Sequence, residues 1–269
     1  MVGMKESNYE KVIYEKKGEV AWITFNDPKR YNCISMKLLD EFIDALERIE
    51  VDDTIKCVVI TGAGDKAFSS GGDLTHFDTL FDVVNSYNFV RNTAYKQQNL
   101  MTNTEKIFIA AINGACFAGG LEISLCCDFR IASERATTGV LEVNFGIVPG
   151  AGGTARLSKI LPMSKAKELL MTGDRITAEE AYRLSLFDKV VPHEKLYEAV
   201  NELTDKICSK PFLAIRMIKT AINKMVETPG FDALLQIERS VNVILTRTDD
   251  FKEGVTAFLE KRPPQWKGR

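Results

Sequence analysis

Short apolar runs punctuated by glycine alternate with longer segments of helical spacing along the first two-thirds of the chain. In KVIYEKKGEVAWITFND two β-rich runs are separated by Lys-Lys-Gly, which predicts a pair of strands joined by a turn. SMKLLDEFIDALERIEVD follows, with Leu38, Leu39, Phe42, Ile43, Leu46 and Ile49 on one helical face behind Ser35 as the expected N-cap. TIKCVVITGAG then reads as a buried strand ending in glycine. The order is β-β-α-β. A polar helical stretch is expected from about Leu74 to Thr104, then the apolar strand KIFIAAING, the segment GACFAGGLEISLCCDF, and DFRIASERATTG. Strand, glycine turn and helix recur, so the expected class is α/β, with stacked ββα units whose strands collect into sheets and whose helices lie outside.

After about Lys159 helical spacing dominates, through MSKAKELLMTG, TAEEAYRLSL, KLYEAVNELTDKICSK and PFLAIRMIKTAINKMVE. Thr177-Ala178-Glu179-Glu180 has the form of a capping box. The expected organisation is a ββα core over residues 1–200 and an α-helical region over residues 201–269. No low-complexity linker separates them, which argues against two independently mobile domains.

Composition narrows the function classes. The chain has 269 residues and 45% hydrophobic composition, enough for a substantial core. Its 35 basic and 37 acidic residues leave a net charge of −2, with no global drive toward nucleic acid or anionic membrane. An anionic ligand must therefore be held locally. The six cysteines have no CxxC spacing and several sit in apolar runs, as reduced core thiols do. The start of the chain lacks a signal-peptide core, and no apolar run reaches membrane-spanning length, so a cytoplasmic protein is expected.

Two glycine turns bear on chemistry. KAFSSGGDL and FAGGLE each put glycine after a strand-like run and before a helix-like one, where backbone N–H groups are left to bind an oxyanion. A single Gly-Gly pair is more simply a tight turn. The carboxylates shift the weight. Glu122 stands in an almost wholly apolar segment, and Glu142 stands in another, shortly before PGAGG. One buried Glu is commonly a structural ion pair, whereas two beside a pair of amide-bearing turns read as an acid-base couple.

Taken in order, FNDPKRYNCIS, VVITGAGDKAFSSGGDL, AAINGACFAGGLEISLCCDFRIAS, LEVNFGIVPGAGGTARL, TAEEAYRLSLFDKVV and FKEGVTAFLEKR resemble the enoyl-CoA hydratase/isomerase, or crotonase, family over nearly the whole chain. The resemblance implies a crotonase-like spiral of repeated ββα units, a C-terminal α-helical trimerisation region, and a homo-hexamer built as a dimer of trimers. It implies backbone N–H donors at Gly72 and Gly119, and catalytic carboxylates at Glu122 and Glu142. Members that hydrate carry both acids, and members that only isomerise or hydrolyse commonly lack one. The expected activity is therefore addition of water to a 2-enoyl-CoA thioester. Which carboxylate is acid and which is base is not readable from sequence; the expectation is Glu142 as proton donor and acceptor and Glu122 orienting and activating water.

The same resemblance implies that coenzyme A is part of the substrate, with no separate cofactor and no metal. It would be held by Ser70, Gly71, Gly72 and Asp73 of SSGGD together with Gly119, by Lys29 and Arg30 at the mouth, and by Phe258 and Lys261 from a neighbouring subunit. Lys29, Arg30 and Lys261 read equally as solvated charges, and Asp73 as a helix cap. Gly72 replaces the family's more usual alanine, Ser185 occupies a common glycine position, and His76 reads as an exposed helix residue. The variable segment THFDTLFDVVNSYNFVRNTAYKQQ is expected to shape the acyl pocket. Alternatives are double-bond isomerisation, hydration of a cyclic dienoyl-CoA, and a non-catalytic RNA-binding or scaffold member; the near-neutral charge and intact glutamate pair argue against the last. A dinucleotide enzyme is weaker, because GAGG lacks a full GxGxxG after a strand.

Overall fold

The computed structural model describes residues 9–73, 84, 90–227, 242 and 244–268. The Lys-Lys-Gly turn joins β1 (Val12–Lys17) to β2 (Val20–Phe25) as an antiparallel pair, with Gly18 at positive φ. Helix α1 (Met36–Glu50) begins where Ser35 Oγ accepts from the Leu38 N–H, as the cap signal predicts. Its apolar stripe is buried from Leu38 to Ile49.

Three consecutive passes of the chain then build two sheets at once. β3 (Cys57–Gly62), β5 (Ile107–Ile112) and β7 (Phe129–Ser133) enter one sheet; β4 (Ala67–Ser69), β6 (Ala115–Phe117) and β8 (Thr137–Gly139) enter the other. The first is six-stranded, in the order β1-β2-β3-β5-β7-β10, parallel from β2 to β10 (Lys189–Val191). The second runs β4-β6-β8-β9, closed by the antiparallel β9 (Ile176–Thr177). Each pass adds one strand to each sheet, which is the expected spiral.

β3 and β5 are buried at every position, because both faces of the parallel sheet are covered. Alternate residues serve opposite layers. Val58, Ile60, Phe108 and Ala110 pack with Phe42 and Leu46 of α1. Val59, Ile109 and Ala111 pack with Leu196, Ala199 and Val200 of the helix Leu196–Cys208. The expected division at residue 200 runs through that helix, whose inner face belongs to the sheet core. Asn113 braces the crossover to β6: its amide donates to the carbonyls of Gly62, Gly64 and Ala67.

Two local expectations are corrected. At Thr177, Oγ1 accepts from the Glu180 N–H, but the Glu180 carboxylate turns to Arg183 at 2.6 and 2.8 Å, so only half of the capping box forms. Phe212, in the region expected to serve trimerisation, is buried within the chain against Cys57 and Ile107. Of the expected 74–104 helical stretch, residues 90–102 are helical, and His76 and most of the expected acyl-pocket segment lie outside the described residues.

Candidate active site

The first glycine turn leaves β4 at Ser69. The Gly71 N–H donates to Ser69 Oγ at 3.2 Å, and the Ser70 N–H donates to the Tyr31 carbonyl at 3.0 Å. A short parallel bridge to Ile34 uses the Gly71 carbonyl and the Asp73 N–H, at 2.8 and 3.1 Å. The Gly72 N–H lies between these bonds and has no partner among the described residues. Of the residues of SSGGD expected at the carrier, Ser70, Gly71 and Asp73 therefore have their N–H groups committed to holding the turn, which leaves that of Gly72.

The second turn leaves β6 at Phe117. Ala118 adopts φ 48° and ψ −124°, a conformation that L-residues rarely take, and its N–H donates to the Gly139 carbonyl at 3.0 Å. The rotation at Ala118 places Gly119 at the head of the helix Gly119–Leu125, where a first-turn N–H has no intrahelical acceptor. The two turns touch. A Cβ on Gly71 would come to 2.8 Å from the Ala118 Cβ and 3.4 Å from the Gly119 nitrogen, and a Cβ on Gly119 would come to 3.7 Å from the Gly72 nitrogen. Glycine at 71, with φ +98°, is what lets the two amides approach.

Glu122 is the fourth residue of that helix and is buried. Its Oε1 accepts two backbone N–H bonds, from Ala151 and Gly153, each 2.8 Å long. Gly153 needs no Cβ for this contact: one would fall 2.7 Å from Pro149 Cβ and 3.1 Å from Glu122 Oε1. Burial raises the Glu122 pKa, and the Gly153 and Ala151 amides and the more distant Arg156 charge oppose that rise. Arg156 itself donates to Gln98 Oε1 at 3.1 Å.

Glu142 opens the 3-10 turn Glu142–Phe145 and is also buried. Its Oε2 has no hydrogen-bond partner among the described residues. Burial first, and the charge of Glu122 second, push its pKa up to about 7. A carboxyl that titrates near neutrality, beside one held by two amides, has the separation of environments on which acid-base pairs are built.

At the rim, Arg30 and Asp73 form an ion pair at 2.7 Å, with the Asp73 side chain buried and that of Arg30 exposed on one side. The helix that Asp73 was expected to cap lies outside the described residues. Lys29 is exposed and lines a cleft of about 270 Å³ with Pro28, Tyr31, Gly64 and Lys66; neither glutamate contributes to it. Phe258 is 82% exposed near the end of the helix Asp249–Glu260, and Lys261 follows as its left-handed C-cap with φ 54°. No described contact joins these two residues to the glutamates. Ser185 has φ 61°, a left-handed conformation that glycine adopts without strain.

The two amides that hold Glu122 were not foreseen from the sequence, although both lie in PGAGG. Nor was the Arg30–Asp73 pair. Among the described residues no group of His, Cys, Asp and Glu could hold a metal ion, and no helix is long and apolar enough to cross a membrane.

Residues 15–269 match the family model for enoyl-CoA hydratase/isomerase. A crotonyl-CoA hydratase of Syntrophomonas wolfei is 40% identical over 254 residues, covering 94% of this chain and 96% of the relative. A short-chain-enoyl-CoA hydratase of Clostridium acetobutylicum is 38% identical over 252 residues, covering 93% and 95%. The crystal structure of an enoyl-CoA hydratase from Bacillus anthracis superposes with a TM-score of 0.92 at 36% identity, over 97% of this chain and all of that one. The chain belongs to the enoyl-CoA hydratase/isomerase family.

Proposed function

We propose that this protein is an enoyl-CoA hydratase, which adds water reversibly across the 2,3 double bond of a 2-enoyl-CoA thioester. The observation that carries this reading is the unequal pair: Glu122 fixed by two amides, and Glu142 with a buried, unpartnered oxygen and a pKa of about 7. The thioester oxygen lies between the Gly72 and Gly119 N–H groups, which stabilise the enolate formed when oxygen adds at Cβ; such donors contribute about 2.7–4 kcal/mol each in comparable sites. Glu122 orients and activates the water. Glu142, in its acid form, delivers the proton to Cα, and the proton released by water restores the pair.

Coenzyme A enters as part of the substrate, with no further cofactor and no metal. Lys29, exposed at its cleft, meets the anionic carrier, and Arg30 does so from its ion pair with Asp73. Short acyl chains fit the names of the two relatives above. Ile218 and Ile222 are about half exposed and Phe258 more so, and these apolar positions support a hexamer of two trimers in which Phe258 and Lys261 reach a neighbouring subunit's carrier site. We place the protein in the cytoplasm on the expectation from its sequence.

The test is loss of absorbance at the enoyl thioester band with short-chain, long-chain and cyclic substrates. Hydration of at least one 2-enoyl-CoA is expected. Movement of the double bond without water uptake across the whole panel would replace hydration with isomerisation.

A further inference from the structure

The six cysteines are all free thiols, but they are not alike. Cys126 and Cys127 donate to carbonyls of their own helical segment, Glu122 and Ile123, and burial pushes Cys116 and Cys126 up to about 12. Cys57 and Cys208 instead face each other, Sγ to Sγ, at 3.8 Å. Cys57 is the first residue of β3 and is fully buried. Cys208 is the last residue of the helix Leu196–Cys208 and is half-buried, so one sulfur is shielded and its neighbour is reachable from solvent. Their surroundings are apolar: Ile107 and Phe212 complete the cluster, with Ile207 and Ile215 at its edge.

We propose that Cys57 and Cys208 form a dithiol modification site, which a hydroperoxide oxidises to an intramolecular disulfide between the central sheet and the end of that helix. The Cys208 thiolate attacks the peroxide: an S–O bond forms, the O–O bond breaks, and the departing hydroxide takes up the thiol's proton as water, which leaves a sulfenic acid. Cys57 then attacks the Cys208 sulfur. The S–S bond forms, the S–O bond breaks, and the Cys57 proton leaves with the hydroxide as a second water. In all, two thiols lose two electrons and two protons, and one hydrogen peroxide becomes two waters.

Several features favour Cys208 as the attacking group. It is the more accessible sulfur, and contact with Cys57 lowers its pKa against the opposing effect of partial burial. The Lys56 ammonium reaches the Cys208 carbonyl at 3.4 Å, but it is paired with Glu19 at 2.7 Å, and the Glu19 charge opposes its effect on the thiol, so the case for Cys208 rests on access and on the contact with Cys57. Bonded sulfurs stand about 2.0 Å apart. The approach this requires falls on the last residue of a helix, where side chain and backbone yield more readily than in the middle of a strand. The region also anchors the chain's end, since the Trp266 indole N–H donates to the Ser209 carbonyl at 2.9 Å.

Neither sulfur belongs to the site proposed for hydration, so the test stands apart from that reading. The intact protein is exposed to hydrogen peroxide, denatured, alkylated, and analysed by intact mass and peptide mapping. The expected product is lighter by two hydrogen atoms before alkylation, with the Cys57 and Cys208 peptides joined and both released by dithiothreitol, and the other four cysteines alkylated. In Cys57→Ser the link is lost and a sulfenic acid is trapped on Cys208 by dimedone. Should Cys57→Ser fail to fold, Cys208→Ser changes only the half-exposed position and must leave Cys57 alkylatable after the same exposure. Two free thiols in the oxidised wild type, overoxidation of Cys208 without a link, or a link from Cys208 to any other cysteine would overturn the proposal.

Discussion

Glu122 and Glu142 are both buried, yet they are held differently: Glu122 Oε1 accepts two N–H bonds of 2.8 Å from a distant loop, while Glu142 Oε2 has no partner among the described residues and the backbone that lowers its pKa is local, at Leu141 and Glu142 itself. Burial raises the pKa of both; at Glu122 the two amides oppose that rise, whereas at Glu142 the Glu122 charge adds to it. The charge of Glu122 adds to the burial of Glu142, and the neighbour's pKa reaches about 7.

The first prediction follows from linkage. Folded Glu142 holds its proton up to about 7, whereas the unfolded chain releases it near the ordinary value of 4.5. Between those values the folded state binds more protons than the unfolded one, so this group's contribution to stability falls as pH rises through the window and stays lost above about 7. Glu142→Gln removes the buried charge. Thermal unfolding at a series of pH values should show the variant more stable than wild type at pH 8, with the advantage shrinking toward pH 4.5. An advantage independent of pH would argue against titration of Glu142.

Glu122→Gln should act at a distance on its neighbour. Without the Glu122 charge, burial alone sustains the elevated pKa of Glu142, which should drop below about 7 but remain above 4.5. Carbon NMR of glutamate-labelled protein reads this titration directly, even if the variant is inactive. An unmoved titration would mean that the two carboxyls are not coupled.

Gly153→Ala places a methyl 2.7 Å from Pro149 Cβ and 3.1 Å from Glu122 Oε1. Overpacking of this kind costs about 1–3 kcal/mol, and displacing the carboxylate should lower kcat by roughly 10². Paired measurements of unfolding and turnover check both effects. Unchanged turnover in the folded variant would show that the Gly153 contact does not position Glu122.

Ser185→Gly relieves a left-handed conformation at an exposed residue far from the glutamates in sequence. The penalty removed is about 1–2 kcal/mol, offset in part by the greater freedom of glycine in the unfolded chain, about 0.5–1 kcal/mol. A small rise in Tm with unaltered hydration is expected from calorimetry and the enoyl absorbance assay.

Much of the scaffold was legible because its signals are local. The Lys-Lys-Gly turn, the Ser35 cap and the stripe from Leu38 to Ile49 act within a few residues of one another, and they form as expected. Glu122 and Glu142 were legible because carboxylates are conspicuous in apolar runs. Their supports were not: the amides that hold Glu122 come from residues 29 and 31 positions away, and Arg30 reaches Asp73 across 43. At Thr177 the pattern was present, but Arg183 competes for the Glu180 carboxylate on the helix surface. Phe212 shows the same limit, since an apolar residue on a helix does not announce whether it faces its own sheet or another subunit.

The mechanism is tested most directly by hydration rates of Glu122→Gln, Glu142→Gln and the double variant, with thermal unfolding measured on the same samples. Each single substitution conserves volume and should lower kcat by roughly 10²–10⁴ while the fold persists. Under the proposed mechanism both carboxyls act on one water, so the double variant should be little slower than the slower single one. Near-wild-type turnover in both single variants would contradict hydration by this pair.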